Sequence, residues 1–459
     1  MSKQDKKELR QQIACEWLEQ NYLNYGSLRH DVVGDRLQIR IPNLESLEDA
    51  SLRAPQKSVD FSGTPLQDAP SELQFRGKDI WRNLTDKDIN TMVCQCVTDS
   101  SVNISVTEMW TALKSDLVPA VHPLREWLNG LRPWSSSEPD WIDMLAQKVV
   151  VKDDGQLAIG NRQEYWRKCF KKWFVAMVAS WMKDKVVNHT VLVLVGRQGI
   201  YKTTWLDRLM PPELRAYSSK LPLSGQISKD DRLRLCENGL LNIDELDAIC
   251  GREMNIVKSL LTSTDVNERA AYGRLKERRV RLASFCASTN NREFLTDITG
   301  NRRWLPFEVE SIQNPFDDII LYERLYAQAK AYVECGYFAY WFDMDEIEVL
   351  EQHNEKFRAL ENEEELLNVY FAVPAADSMN SKFLATAEIS EKLISAGNIK
   401  RPMPLSRLGM ILGQHGFIAS RQGTPARRGW IVYERDSEEI NAERKLLSRT
   451  RIASTDSIF

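Results

Sequence analysis

The run Gly196-Arg197-Gln198-Gly199-Ile200-Tyr201-Lys202-Thr203-Thr204 holds the residue types that bind a polyphosphate. Backbone N–H groups of a glycine-containing loop can wrap an anion, and a lysine closing the loop adds a point charge. Lys202 and Thr203 stand after Gly196 at the spacing of the phosphate-loop template, with Tyr201 in place of its second glycine. On this reading Lys202 reaches the β- and γ-oxygens of ATP, Thr203 ligates Mg2+, and all nine residues are candidate nucleotide contacts. The plainer alternative is a glycine turn with a surface lysine.

A second constellation lies about 40 residues on, where an apolar run ends in Asp244-Glu245. Asp244 is the candidate Mg2+ ligand, and Glu245 the group that polarises a water in line with the γ-phosphate. A third run ends at Asn290, which can hold that water or sense the γ-phosphate; a polar turn is the alternative. Arg302 and Arg303 follow about a dozen residues later. Either arginine, Arg303 first, suits a finger that enters a neighbouring subunit's site and stabilises transition-state charge. The alternative is a surface basic turn.

These side chains need strands to aim them. Val191–Val195, Gly239–Asp244 and Leu282–Thr289 are short apolar runs of strand length, each followed by polar residues, in a stretch that alternates with helical patterns. That is the α/β arrangement in which sites collect at the carboxyl ends of parallel strands. Upstream, residues 1–25 read as helix and His30–Ile41 as a hairpin around Gly34-Asp35. Thr85 or Asp86 caps one helix and Thr107 another, and Glu164–Lys185 is an amphipathic helix whose aromatic stripe reads as core. Six segments result: residues 1–75, a helix and hairpin with a linker; 76–185, helical; 186–312, the α/β unit; 313–372, a helical extension; 380–435, a small basic unit; and 436–459, a charged tail expected to be disordered.

A chain of 459 residues exceeds one ordinary core. No apolar run approaches the ~20 residues of a membrane span, and the start, MSKQDKKELRQQ, lacks a signal-peptide core. Eight scattered cysteines suit a reducing compartment, so a cytoplasmic location is expected and no membrane partner. Cys94 and Cys96 have no partner pair at metal spacing. The net charge of −4 by itself argues nothing about nucleic acid, but basic residues cluster locally, which fits selective contact with phosphates. One cluster runs from Arg269 to Arg281; another lies between Ser395 and Tyr433, where no acidic residue occurs.

GRQGIYKTT, NIDELD, ASTNN and TGNRRW, in this order and spacing, resemble the superfamily 3 helicase group of hexameric AAA+ ATPases. The closer likeness is to the virulence-associated protein E family of phages and bacterial mobile elements. It extends to HPLREWLNGLRPW (His122–Trp134) and covers Lys78–Val309, with the ends matching only loosely. The resemblance implies an α/β P-loop AAA+ ATPase core, a parallel sheet flanked by helices, preceded by a mostly helical domain. It also implies a ring of six, ATP bound between subunits, and translocation on DNA. A hairpin in this part of superfamily 3 helicases projects into the ring's pore, which makes Tyr272, Arg274, Lys276 and Arg278 the candidate contacts to DNA phosphates and bases. An exposed charged ribbon is the alternative, and Arg269 can instead face the nucleotide.

In the carboxyl-terminal unit, two helices followed by a basic two-stranded ribbon resemble a winged helix. Arg407 on the second helix and Arg427 and Arg428 on the ribbon, with Arg421, can contact DNA phosphates; protein docking is the other use of such modules. The function expected is Mg2+-dependent ATP hydrolysis driving a ring helicase on single-stranded or forked DNA in replication of a mobile element. Any primase or other replication protein would be a separate partner. The rival readings are an AAA+ nucleotide switch that remodels a replication or defence complex without unwinding, and a DNA-binding regulator with a vestigial ATPase unit.

Overall fold

The computed structural model describes residues 2–41, 80–153, 161–222, 228–243, 246, 251–268, 276–295, 301–317, 319–359, 362–374, 381–397, 399, 402–422 and 426–456. The fold is mixed α/β, with four sheets and many helices.

The first unit begins with α1 (Lys3–Leu18), whose capping box is built by Ser2 and Asp5. The hairpin of β1 (Leu28–Asp31) and β2 (Arg36–Ile41) follows, with Asp35 turning the chain at φ +49°. β3 (Ile80–Asn83) pairs with β2, and β4 (Ala120–Val121) runs parallel to β1. The helices α2 (Asp86–Ser100) and α3 (Val106–Leu113) close a core with Trp17, Leu18, Leu28, Ile89, Met92 and Met109. Sheet and core therefore join residues on both sides of the boundary expected at 75/76. Thr85 caps α2 as the spacing predicts, but Ser105, not Thr107, caps α3. The reason is Glu108, which stands three residues after Ser105 and completes a capping box. On α2, Cys94 is exposed and Cys96 buried, because two residues along a helix turn to nearly opposite sides.

The central unit opens with α4 (Pro123–Asn129), α5 (Trp141–Ala146), β5 (Val149–Val151) and α6 (Arg162–Met182). On α6, Trp166, Phe170, Trp173, Phe174 and Trp181 are fully buried, and their stripe is core. The sheet beneath adds β6 (Val191–Val195), β7 (Ser218–Lys220), β8 (Leu240–Ile243), β11 (Ser284–Thr289) and β12 (Trp304–Ile312), in the order β5-β12-β6-β11-β8-β7. β12, β6, β11, β8 and β7 are parallel, and β5 is an antiparallel edge. Every residue of β6, β8 and β11 is buried, which explains why they read as continuous apolar runs. β12 lacks that signature because it carries Pro306, Glu308 and Glu310. Pairing with β5 starts only at Val309, so β12 is an edge strand at Pro306, where a missing N–H is tolerated.

Around this sheet lie α7 (Lys202–Asp207), α8 (Lys229–Glu237), α9 (Gly251–Thr262), the hairpin of β9 (Asp265–Glu268) and β10 (Glu277–Val280), α10 (Tyr322–Cys335) and α11 (Met344–Asn354). The last unit contains α12 (Asn362–Tyr370), β13 (Phe371–Ala372), β14 (Ser381–Leu384), α13 (Thr386–Gly397), α14 (Leu405–Gln414), β15 (Ile418–Gln422) and β16 (Arg427–Glu434). β16 pairs with β13, β14 and β15, so the two-stranded ribbon read from sequence is part of a larger sheet. The tail expected to be disordered forms α15 (Ser437–Asp456). Asp436 explains its start: its Oδ1 accepts from the backbone N–H groups of Glu438 and Glu439. No helix among the described residues is long and apolar enough to cross a membrane.

Candidate functional site

The chain leaves β6 at the centre of the sheet and turns through Gly196–Tyr201 into α7. A Cβ on Gly196 would stand 2.9 Å from the Val309 carbonyl oxygen, so only glycine fits beside β12 there. Gly199 takes φ +86°, a left-handed conformation natural to glycine. Tyr201 adopts φ +66°, which costs a non-glycine residue roughly 1–2 kcal/mol. The template's glycine is absent, yet the backbone conformation that favours it is kept.

Lys202 follows at once and is 93% buried, being 7% exposed. Its ammonium donates to the carbonyls of Gly196 (2.6 Å) and Arg197 (2.7 Å) and to Asn290 Oδ1 (3.0 Å). Among the described residues these acceptors draw on the donors of the ammonium. Arg197, Gln198 and Gly199 are exposed on the loop, Ile200 is half-buried, and Thr204 continues α7. The Thr203 hydroxyl lies 2.9 Å from that of Ser288 at the end of β11, and the Gly196 N–H donates to the Thr289 carbonyl at 3.1 Å. The structure therefore gathers Gly196, Lys202, Thr203 and Asn290 at one carboxyl-terminal edge of the sheet.

The helix behind the loop is anchored by aromatic packing. Trp205 of α7 meets Phe170 and Trp166 of α6 at centroid distances of 5.4 and 6.1 Å. Tyr322 and Tyr326 of α10 donate to the carbonyls of Arg208 and Leu209 at 2.6 and 2.8 Å, tying the end of α7. Asn242 of β8 donates to Asp207 at 2.7 Å. β8 ends at Ile243, directly before Asp244 and Glu245, which lie outside the described residues.

Arg302 and Arg303 precede β12. Trp304 is in register with Val191 and Glu308 with Val195, so the arginines sit at the opposite end of the strands from the loop. Four strand residues separate the two ends, about 13 Å. The two arginines line a cavity of about 630 Å³ with Lys185, His189, Tyr340 and Trp341. They stand away from the loop after β6 of their own chain.

The basic run from Arg269 to Arg281 divides sharply. β9 and β10 pair antiparallel from Glu268 with Glu277 to Asp265 with Val280, which makes a hairpin base. Arg269, Tyr272 and Arg274 lie outside the described residues. Lys276 is exposed at the base; Arg278 is exposed and held by Asp265 at 2.8 Å. Arg279 donates to the Val33 carbonyl at 2.6 Å, fixing the hairpin to the first unit. Arg281 is fully buried, and burial pulls its guanidinium down to about 9. It donates to the carbonyls of Leu260, Leu261 and Ser263 at the end of α9, and to those of Asn188 and Ala283. Sequence could not separate these roles, because burial is not a property of charge pattern.

In the last unit Arg427 and Arg428 are exposed, and Arg407 on α14 is half-buried. Arg421 of β15 stands directly across from Arg428 of β16, and Arg427 lies 3.5 Å from Glu388. Ser288 and Phe316 were not singled out from sequence. Ser288 was legible only as part of a polar strand end, and Phe316 as an aromatic in the turn Asn314-Pro315-Phe316-Asp317.

Residues 146–359 match the family model of the virulence-associated protein E-like domain. The match to this virulence-associated protein E-like domain runs from the end of α5 past α11. It contains the loop after β6, Lys202, Asn290, Arg302 and Arg303. No curated protein matches the chain. Among solved structures, the A form apo structure of the NrS-1 C-terminal region (305–718) covers 91% of this chain and 99% of its own, at 10% identity and a TM-score of 0.42. A further apo structure of that region covers 90% and 97%, at the same identity and TM-score.

Proposed function

We propose that this protein is a Mg2+-dependent ATPase with an AAA+ core of the superfamily 3 type, working as a ring helicase on DNA in the replication of a mobile element. The observation that carries the reading is the position of the Lys202 ammonium, buried among two loop carbonyls and Asn290. When a triphosphate enters, the ammonium exchanges those carbonyls for β- and γ-oxygens, and the backbone N–H groups of Gly196 to Lys202 wrap the β-phosphate. Asn290 then holds the γ-phosphate or the attacking water. The Thr203 hydroxyl, beside Ser288, fits a hard cation, which with Asp244 it would hold; bound Mg2+ neutralises developing phosphate charge. Glu245 polarises the water.

The distance between the loop and Arg302–Arg303 supports assembly. An arginine stranded at the far edge of its own sheet is useful only in a neighbour's site, as a ring of six supplies. Exposed Lys276 and Arg278, with Tyr272 and Arg274 close by in sequence, suit the DNA backbone in the pore. The winged-helix-like last unit supports a second DNA contact: like charges directly across a strand pair, as Arg421 and Arg428 are, favour a bound anion. Such a protein works in the cytoplasm, beside a separate primase if primers are needed.

The test is hydrolysis and unwinding of forked DNA by the purified chain with MgATP, followed by imaging of the assembly. DNA-stimulated hydrolysis, unwinding and a closed ring are expected. Hydrolysis with no unwinding at any protein concentration points instead to a nucleotide switch that remodels a replication or defence complex. Failure to bind MgATP sinks the reading.

A further inference from the structure

Beside the proposed phosphate loop lies a pair of aromatic rings that the proposed chemistry does not use. Tyr201, immediately before Lys202, is 40% exposed, and Phe316 is 67% exposed. Their rings meet edge to face with centroids 6.4 Å apart. The Arg208 guanidinium carbon lies 5.9 Å from the Phe316 centroid. The turn that presents Phe316 is ordered: Asn314 Oδ1 accepts from the Phe316 N–H at 3.1 Å, and the Asn314 amide donates to Asp317 at 2.7 Å. Five residues on, Tyr322 fixes the start of α10 to the end of α7. An apolar ring this open, on a turn held this firmly, and against the residue adjoining the loop lysine, is placed for a planar ligand.

We propose that Phe316 and Tyr201 form an aromatic platform for the bound nucleoside triphosphate: the base stacks on the Phe316 face, and the Tyr201 ring, nearly perpendicular to it, walls the side of the same site. The proposal rests on the reading of Gly196–Thr204 as the phosphate site and names what that site recognises beyond phosphate. It also gives a reason for Tyr201. The left-handed conformation would suit glycine better, but glycine has no ring to offer. An aromatic face accepts any base, more strongly as its ring area grows, so purine triphosphates bind more tightly than pyrimidine ones. With Arg208 beside Phe316, the base, ring and guanidinium make a layered contact of the kind aromatic faces favour.

The experiment measures binding of MgATP and of Mg-tripolyphosphate, which has the phosphates without the base, to the full chain and to three variants by calorimetry. Phe316→Ala weakens MgATP roughly tenfold and leaves tripolyphosphate within about twofold; Tyr201→Gly weakens MgATP more than tripolyphosphate, and Tyr201→Phe keeps the difference between the two ligands. The platform is overturned if Phe316→Ala weakens both ligands alike, weakens neither, or changes the subunit count by sedimentation without changing MgATP affinity. An unchanged chain that binds the two ligands equally overturns the platform alone. One that binds neither overturns the phosphate site and the platform with it.

Discussion

The Lys202 ammonium lies 3.0 Å from Asn290 Oδ1, joining the loop after β6 to the end of the neighbouring strand β11. A nucleotide that draws the lysine away breaks this contact and frees the asparagine, so the two residues report on each other. Lys202→Ala is expected to abolish detectable MgATP binding. Asn290→Ala is expected to leave binding within about threefold and to lower kcat at least roughly a hundredfold. Calorimetry and steady-state hydrolysis check both; an Asn290→Ala enzyme with unchanged kcat removes Asn290 from the chemistry.

Arg303→Ala should bind MgATP normally but hydrolyse it ~10³-fold or more slowly. Mixing it with Lys202→Ala subunits should restore hydrolysis, because some interfaces then carry an intact lysine from one chain and an intact arginine from the other. If the mixture stays inactive although mixed rings form, the arginine does not act between subunits.

Arg281 and Lys276 belong to one basic run but should respond oppositely. Arg281→Leu strips donors from five carbonyls, four of them in buried contacts, and is expected to destabilise the fold by about 3–5 kcal/mol, seen in thermal melting. Lys276→Ala should leave melting unchanged and reduce DNA-stimulated hydrolysis. Arg428→Ala offers a third pattern: a small gain in stability, up to about 1 kcal/mol, from removing its clash with Arg421, together with weaker DNA binding and a shallower salt dependence.

His122 and Glu346 are two of the groups whose titration weakens the fold in acid. Burial, helped by the Arg125 charge, takes His122 from its ordinary 6.5 down to about 4. Its Nδ1 accepts the Arg125 N–H at 3.4 Å as the cap of α4. Between those values the unfolded chain binds the proton and the folded chain does not, so this contribution is present above pH 6.5 and is lost as pH falls toward 4. Burial opposes the charge of Glu346, but Lys168 and Lys172 override it and bring its carboxyl down to about 2. Its contribution is present above 4.5 and is lost between 4.5 and 2. Melting temperature should therefore fall on acidification, beginning below pH 6.5. His122→Asn, which keeps an acceptor at the cap, should reduce the part of the fall between pH 6.5 and about 4 and leave the rest.

Local chemistry was written plainly in the sequence. Val191–Val195, Gly239–Asp244 and Leu282–Thr289 read as strands, found at Val191–Val195, Leu240–Ile243 and Ser284–Thr289, because burial on both faces demands unbroken apolar runs. Thr85 is readable as a cap because a side-chain oxygen reaches only the next turn. The spacing of Gly196, Lys202 and Thr203 sufficed to name a candidate loop. β12 was hidden, since Pro306 and its acidic residues break the run in a strand that is partly an edge. Ser105 was hidden by a better-looking threonine two residues on.

Tertiary structure decided what depends on distance across the fold. Only folding brings Asn290 to Lys202 over 88 residues of chain and sends Arg303 to the opposite edge of the same sheet. It also buries Arg281 while leaving Lys276 in water, and sets Phe316 against Tyr201. Sequence specifies which groups can do chemistry and the local conformations that hydrogen bonds within a turn can enforce. Which groups meet is fixed by strand order and packing, which no local pattern contains.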